Sequence, residues 1–211
     1  MIDFNEIKIF NRHLQPLKEL SKDDSEDSQQ YMTDSEIIAI SFDDVKEEYS
    51  AEFVSQSPKS VDAILQIDGK ILFIEFKNGK IKDKQSDSIV IKILESLLMF
   101  CDIADCKISQ VREVADLILV YNAEKNPPHS KSFKNFADEI GKLAGEKNVR
   151  FKLSRLRKIY FREVSTLTEA EFNKFLNDIE NEKSEIFLLT NFFTPMKKAN
   201  GSSTKIFFEW Q

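Results

Sequence analysis

"SVDAILQIDGKILFIEFKNGK", Ser60–Lys80, is the stretch on which the fold turns. Two apolar runs flank Asp68-Gly69. That dipeptide is among the strongest short signals for a two-residue hairpin turn, whose central residues need positive φ. With Asp68 and Gly69 as the central pair, Ile67 opposes Lys70, Leu65 faces Leu72, Ala63 faces Ile74 and Asp62 faces Glu75. A slip of one residue would turn every side chain to the wrong face, so this register is strongly specified. The run "ILFIEF" is apolar on both faces, as expected of a strand inside a sheet.

The charged residues of this hairpin need a reason. Opposed side chains on an antiparallel ladder have Cβ atoms about 4.5–5.5 Å apart, and like charges there are destabilising. Lys77 lies two residues beyond Glu75 and projects from the same face. Two carboxylates and an ammonium therefore gather at one end of the hairpin. A divalent hard cation accounts for them, because magnesium takes oxygen ligands and often uses one or two carboxylates plus substrate phosphate oxygens. The lysine then balances charge and orients or activates a water for attack on phosphorus. The bland alternative is an ion cluster in which Lys77 bridges Asp62 and Glu75. Glu-x-Lys alone is a weak signal, since it recurs at Glu6 and Lys8, and Asp-x-Lys recurs at Asp68 and Lys70. Neither recurrence ends an apolar strand opposite a carboxylate.

At these residues the sequence resembles the PD-(D/E)xK nuclease superfamily. The matching pieces are Asp62 early in the first strand, "EFK" at Glu75–Lys77 ending the second, and a helix and strand that follow, covering about Ser41–Asn122. The resemblance implies a restriction-endonuclease-like α/β core with a mixed sheet flanked by helices. It implies that Asp62, Glu75 and the carbonyl of Phe76 ligate Mg2+ (or Mn2+), and that Lys77 is the catalytic lysine. The family's proline before the aspartate is absent, Val61 standing there. Many relatives add a glutamate from the preceding helix. Here Glu47, Glu48 and Glu52 compete for that role, with Glu48 slightly favoured because it borders the apolar stripe.

The chain of 211 residues is 41% hydrophobic, enough for one well-buried domain. Its formal net charge of −6 excludes a strongly basic whole-chain character. No apolar run reaches the length of a transmembrane helix, and the N-terminus lacks a basic-then-apolar signal pattern. The two cysteines, Cys101 and Cys106, read as core residues of a reducing cytoplasm. His13 and His129 have no metal-ligand spacing, and the 5 glycines form no phosphate loop.

Around the hairpin, apolar spacing predicts a helix from about Asp3 to Leu20, broken at Pro16, and an acidic loop at Ser21–Gln30. These compose a helical N-terminal extension over residues 1–40, and the nuclease-like domain covers 41–211. Helices are expected at Phe42–Phe53, over "SDSIVIKILESLLMF" and at Lys131–Glu146. "ADLILVYN" and "KIYFREV" read as strands. Thr168 and Glu171 are spaced as a capping box. Two strands are expected in the tail, at "IFLLTNFF" and "KIFFEW".

Two segments are locally basic. One follows the hairpin and offers Lys80 and Lys82. The other, residues 147–162, offers Arg155, Arg157 and Lys158, interleaved with aromatic residues. Cations contact phosphates and aromatic rings stack on unpaired bases, so both are candidates for binding nucleic acid, DNA before RNA. The expected function is a cytoplasmic, magnesium-dependent nuclease acting in defence or nucleic-acid processing, as a homodimer or with a protein partner and without a membrane. The alternative is an inactive nuclease-fold binding protein of immunity or antitoxin type.

Overall fold

The computed structural model describes residues 2–23, 30–51, 57–127 and 149–192, with side chains followed to residue 181. The expected helix at Lys131–Glu146, the strand at "KIFFEW", Glu52 and most of the acidic loop lie outside the described residues. The chain divides into two compact units, Met1–Leu176 and Asn177–Gln211.

The first unit is α/β, with a mixed six-stranded sheet. Its strands are β1 (Leu14–Pro16), β4 (Ile38–Ser41), β5 (Ala63–Ile67), β6 (Lys70–Lys77), β7 (Ala115–Tyr121) and β8 (Glu163–Thr168), side by side in that order. A separate small ribbon pairs β2 (Lys22–Asp23) with β3 (Gln30–Tyr31). The pairs from β1 to β6 are antiparallel, whereas β6–β7 and β7–β8 are parallel. The helices are α1 (Lys8–Arg12), α2 (Leu17–Leu20), α3 (Phe42–Ser50), α4 (Asp83–Ile103), α5 (Ile108–Val114) and α6 (Glu169–Phe192).

The hairpin has the expected register. Ala63 pairs with Ile74, Leu65 with Leu72 and Ile67 with Lys70. Asp68 and Gly69 hold φ of 49° and 75°, which aligns the turn with the right-handed strand twist. β6 is covered on both faces. Phe73 meets Phe100 of α4 and Phe161 edge-on, with ring centroids 5.3 and 5.2 Å apart. On the opposite face Phe76 meets Phe172 of α6 at 5.6 Å. Each such pair adds about 0.5–1.5 kcal/mol beyond the area it buries.

Several expectations are corrected. The N-terminal segment is not one interrupted helix. A 3-10 turn at Phe4–Glu6 and the short α1 give way to β1, which adds to the sheet through Leu14–Ile40 and Pro16–Ile38. Pro16 has no amide to give an upstream helical turn and stands in an extended conformation, φ −61° and ψ 141°, before α2. Leu14 consequently stays 49% exposed while Phe4, Phe10 and Leu17 enter the core. "KIYFREV" starts a strand only at Glu163, because Lys158 is left-handed and its amide closes a turn onto the Phe161 carbonyl at 2.7 Å. "IFLLTNFF" continues α6 to Phe192 instead of forming a strand. The Thr168–Glu171 box is present: the Thr168 amide and hydroxyl donate to the Glu171 carboxylate, and the Glu171 amide donates back at 3.3 Å. Cys101 is buried beside Cys106, and burial pushes its thiol up to about 12. No helix among the described residues is long and apolar enough to cross a membrane.

Gly69 has the larger positive φ of the turn pair. Gly69→Ala should cost roughly 1–2 kcal/mol, the penalty of a left-handed non-glycine residue. Urea denaturation checks this, and an unchanged midpoint would show that the turn does not hold the register.

Candidate functional site

The site forms where β5 begins and β6 ends. The ladder's first pair is Ala63–Ile74, so Asp62 and Glu75 stand one step beyond it. The hydrogen-bonding edge of β6 continues past the start of β5, and there the Phe76 amide donates to Asp62 Oδ2 at 2.6 Å. The carbonyl of a strand residue lies on the same edge as its amide, so Phe76 offers both groups on the Asp62 side. Asp62 is thus held by the backbone of the neighbouring strand.

The helix α4 brings the counter-ion. Lys92 Nζ lies 2.8 and 2.9 Å from the two oxygens of Glu75 and 3.3 Å from Asp62 Oδ1. Glu75 is only 2% exposed and Asp62 18%. Buried Ser96, one turn further along α4, fixes the geometry. Its hydroxyl donates to the Lys92 carbonyl and accepts from the Val61 amide, each at 2.7 Å. The segment before Asp62 also clamps α4 through the Lys59 amide, which donates to Glu95 at 2.6 Å. Asp62 is therefore positioned by α4 as well as by β6.

Burial raises the pKa of Glu75 well above the usual carboxylate range. The Asp62 charge adds to the rise, and Lys92 opposes it. Burial also raises Asp62, against the pull of Lys92 and the Phe76 amide. Burial disfavours the Lys92 ammonium, but Asp62 and Glu75 outweigh that penalty and hold its pKa above the ordinary value. Asp43, in the first turn of α3 and hydrogen-bonded to Ser60, adds negative potential to all three groups.

The sequence-based candidates are distributed as follows. Asp62 and Glu75 meet, but the ammonium between them belongs to Lys92. Lys77 makes no ion pair or side-chain hydrogen bond among the described residues. It lines a cavity of about 210 Å³ together with Asp62, Phe76 and Asn78. Of the helix glutamates, Glu47 and Glu48 are not at the site. Glu48 is bound by Arg12 and by His13 Nε2, the latter at 2.7 Å, and Glu47 by Lys46 at 3.0 Å. The α3 carboxylate whose field reaches the pair is Asp43.

The basic residues separate into two groups. Lys80 and Lys82 lie just past the end of β6 and line a larger cavity. Arg155 faces Asp87 of α4 at 4.0 Å. Arg157 and Lys158 are taken by Glu163, at 3.0 and 2.9 Å. Glu163 begins β8 opposite Asp116, whereas Lys77 sits level with Tyr121 and Thr168. Five residues of strand, about 17 Å, thus separate these two cations from the level of Lys77.

The donor set for a cation is oxygen-only: the Asp62 and Glu75 carboxylates and the Phe76 carbonyl. Lys92 Nζ marks a point that both carboxylates already reach. The set fits a hard divalent ion of the kind that completes its shell with water and substrate oxygens. Among the described residues no group of three or more histidine, cysteine, aspartate or glutamate side chains is arranged to hold a metal ion. Comparisons of the chain with protein-family models, with curated proteins and with solved structures gave no match.

The raised carboxyl pKa values fix a sign. The folded state binds more protons than the unfolded chain above the ordinary carboxylate range, so metal-free stability falls as pH rises through that region. Lowering the pH from 8 towards 5 in EDTA should raise the melting temperature of wild type relative to Glu75→Gln, which has no such proton to gain. Lys92→Met leaves the two carboxylates without their cation and should cost about 3–5 kcal/mol at pH 8, and less at pH 5. Thermal melts at both pH values test this. A pH-independent penalty would show that the cluster is not charged in the folded protein.

Proposed function

We propose that the protein is a metal-dependent phosphodiester hydrolase with a restriction-endonuclease-like core, its site built on Asp62, Glu75 and Lys77. The observation that carries this reading is the convergence of the buried Glu75 and partly buried Asp62 carboxylates on a single cation position at the end of β6, beside a cavity that Asp62 and Lys77 line. A magnesium or manganese ion held by Asp62, Glu75 and the Phe76 carbonyl would supply Lewis-acid stabilisation of charge on a phosphoryl oxygen.

The chain's own residues have separable tasks in this reading. The Phe76 amide fixes the orientation of Asp62. Lys92 favours the charged form of the carboxylate pair against its burial and holds Glu75 in place. Lys77 opens on the cavity, where its ammonium can orient a water against a phosphodiester and offset the charge that develops there. The low-dielectric wall around Glu75 strengthens each of these interactions.

One observation favours a second reading, an inactive binding protein. Lys92 already satisfies both Glu75 oxygens, so the cluster can serve as a structural ion network linking α4 to the hairpin.

Two measurements decide between the readings. Purified protein is incubated with linear, supercoiled and single-stranded DNA and with RNA, in magnesium, manganese or EDTA. The nuclease reading expects cleavage that EDTA abolishes, and losses of at least about 100-fold in Asp62→Asn, Glu75→Gln and Lys77→Met, with effects far from additive. Cleavage that survives EDTA and Lys77→Met alike refutes it. In the second measurement, manganese should raise the melting temperature of Lys92→Met more than that of wild type. A ligand that binds only the folded state stabilises it by mass action, and the variant lacks the competing ammonium. No response in either protein leaves the structural network as the role of these residues.

A further inference from the structure

A second site lies past the carboxyl ends of β6 and β7. There Lys80, Lys82, Lys125, Arg150 and Lys152 line a cavity of about 780 Å³, and Asp83 is the one carboxylate among its lining residues. The volume is within the range of small-molecule pockets. Lys152 is paired with Asp83 at 3.2 Å and Asp87 at 3.8 Å, so the positive charge of the lining is carried chiefly by Lys80, Lys82 and Arg150.

Arg150 is the built element of this cavity. Its guanidinium lies over the rings of Tyr121 and Phe151, 4.9 and 4.7 Å from their centroids. It donates to the carbonyls of Asn126 and Pro127 at 2.9 and 3.3 Å. Among the described residues no carboxylate pairs with it. A guanidinium fixed by four neutral partners keeps its full positive charge for an anion.

The walls are rigid as well. Asn126, 5% exposed, donates to the carbonyls of Gly79 and Asn122, each at 3.0 Å, and accepts from the Ile81 amide at 2.7 Å. It thereby locks the segment carrying Lys80 and Lys82 onto the turn after β7. Phe151 and Lys152 are consecutive left-handed non-glycine residues, φ 59° and 61°. Such conformations persist only where the surroundings impose them. The 21-residue helix α4 begins at the same wall with Lys82 as its N-cap residue and no side-chain cap. Its first amides therefore add to the positive potential.

We infer that this cavity binds a phosphate group of a nucleic-acid strand, a second point of attachment beside the carboxylate site. An arginine with no carboxylate partner, lysines, uncapped helix amides and a concave wall together recognise phosphate. The segment Asn78–Lys82 joins the cavity directly to the end of β6, where Lys77 stands. The inference rests on the nuclease reading for its ligand, and its test is separate from cleavage.

Binding is measured by fluorescence anisotropy in EDTA, with the full chain and a labelled single-stranded DNA of about 12 nucleotides. Arg150→Met and the double variant Lys80→Gln/Lys82→Gln should each weaken binding at least about 10-fold. Each should also flatten the dependence on salt, by about 0.7 in log–log slope per cation removed. Arg157→Gln/Lys158→Gln, at the far end of the sheet, should bind as wild type does. Adenosine monophosphate should compete at least about 10-fold more weakly than the unlabelled strand. Should Arg150→Met fail to fold by circular dichroism, the exposed lysine pair carries the test. Wild-type affinity in the lysine variant, no binding by wild type, or a mononucleotide that competes as well as the strand would each overturn the inference. Binding as expected without cleavage in magnesium would sink the nuclease reading and leave this site standing. Cleavage with unaltered binding in the variants would do the reverse.

Discussion

A buried carboxylate cannot stay charged alone. Glu75 is enclosed at the end of an otherwise apolar strand, and removing its charge from water without compensation would cost several kcal/mol. The chain offsets part of that cost with Lys92, and this choice sets much of the architecture. α4 must lie across the sheet at a height and rotation that bring one lysine over β6. Ser96 and Glu95 then fasten the segment before β5 to the same helix. The apolar face of α4, with Ile89, Ile93, Leu97 and Phe100, packs in the arrangement which that polar contact allows.

The two candidate sites share a support. Gln30 accepts from Asn78, Asn78 accepts from Asn122, and Asn126 holds the Gly79 and Asn122 carbonyls and the Ile81 amide. This run of amide side chains crosses the carboxyl ends of β6 and β7. Amides suit the position because each both donates and accepts, so the backbone leaving a parallel strand pair can be satisfied without adding charge. The open end of a parallel sheet is where α/β proteins place ligands. Here it joins the carboxylate pair on one side to the cationic cavity on the other.

The sequence was most legible where local chemistry decides structure. Asp68-Gly69 determines the hairpin, and its register alone brings Asp62 to Glu75. The pairing of Lys92 was not found, although a signal existed. It is the cation among Ile89, Ile93 and Ser96 on the buried face of α4, and a lysine there requires an anion. The competing glutamates of α3 could not be sorted, because Glu48 is claimed by Arg12 and His13 from a segment that sequence periodicity assigned to one helix. Arg157 and Lys158 looked available because their shared partner, Glu163, lies only a few residues on. The left-handed turn at Lys158 that folds them back onto it has no strong local signature. Arg150 stood in the same basic segment as these two, but nothing local set it apart: its place depends on Tyr121, Asn126 and Pro127, which come from another part of the chain.

The main sheet has its strands in the order in which they are synthesised, from β1 to β4, β5, β6, β7 and β8. Each strand therefore docks on the one made just before it within that sheet. No inner position is held open for a segment that arrives later. The connections within the antiparallel part, residues 17–37, 42–62 and 68–69, are shorter than the parallel crossovers, residues 78–114 and 122–162, and the costlier parallel additions begin once the β5–β6 hairpin offers a finished edge. The element that carries Asp62 and Glu75 is thus also the template on which the rest of the sheet can be laid down, with the carboxylate pair at its edge until α4 closes over it.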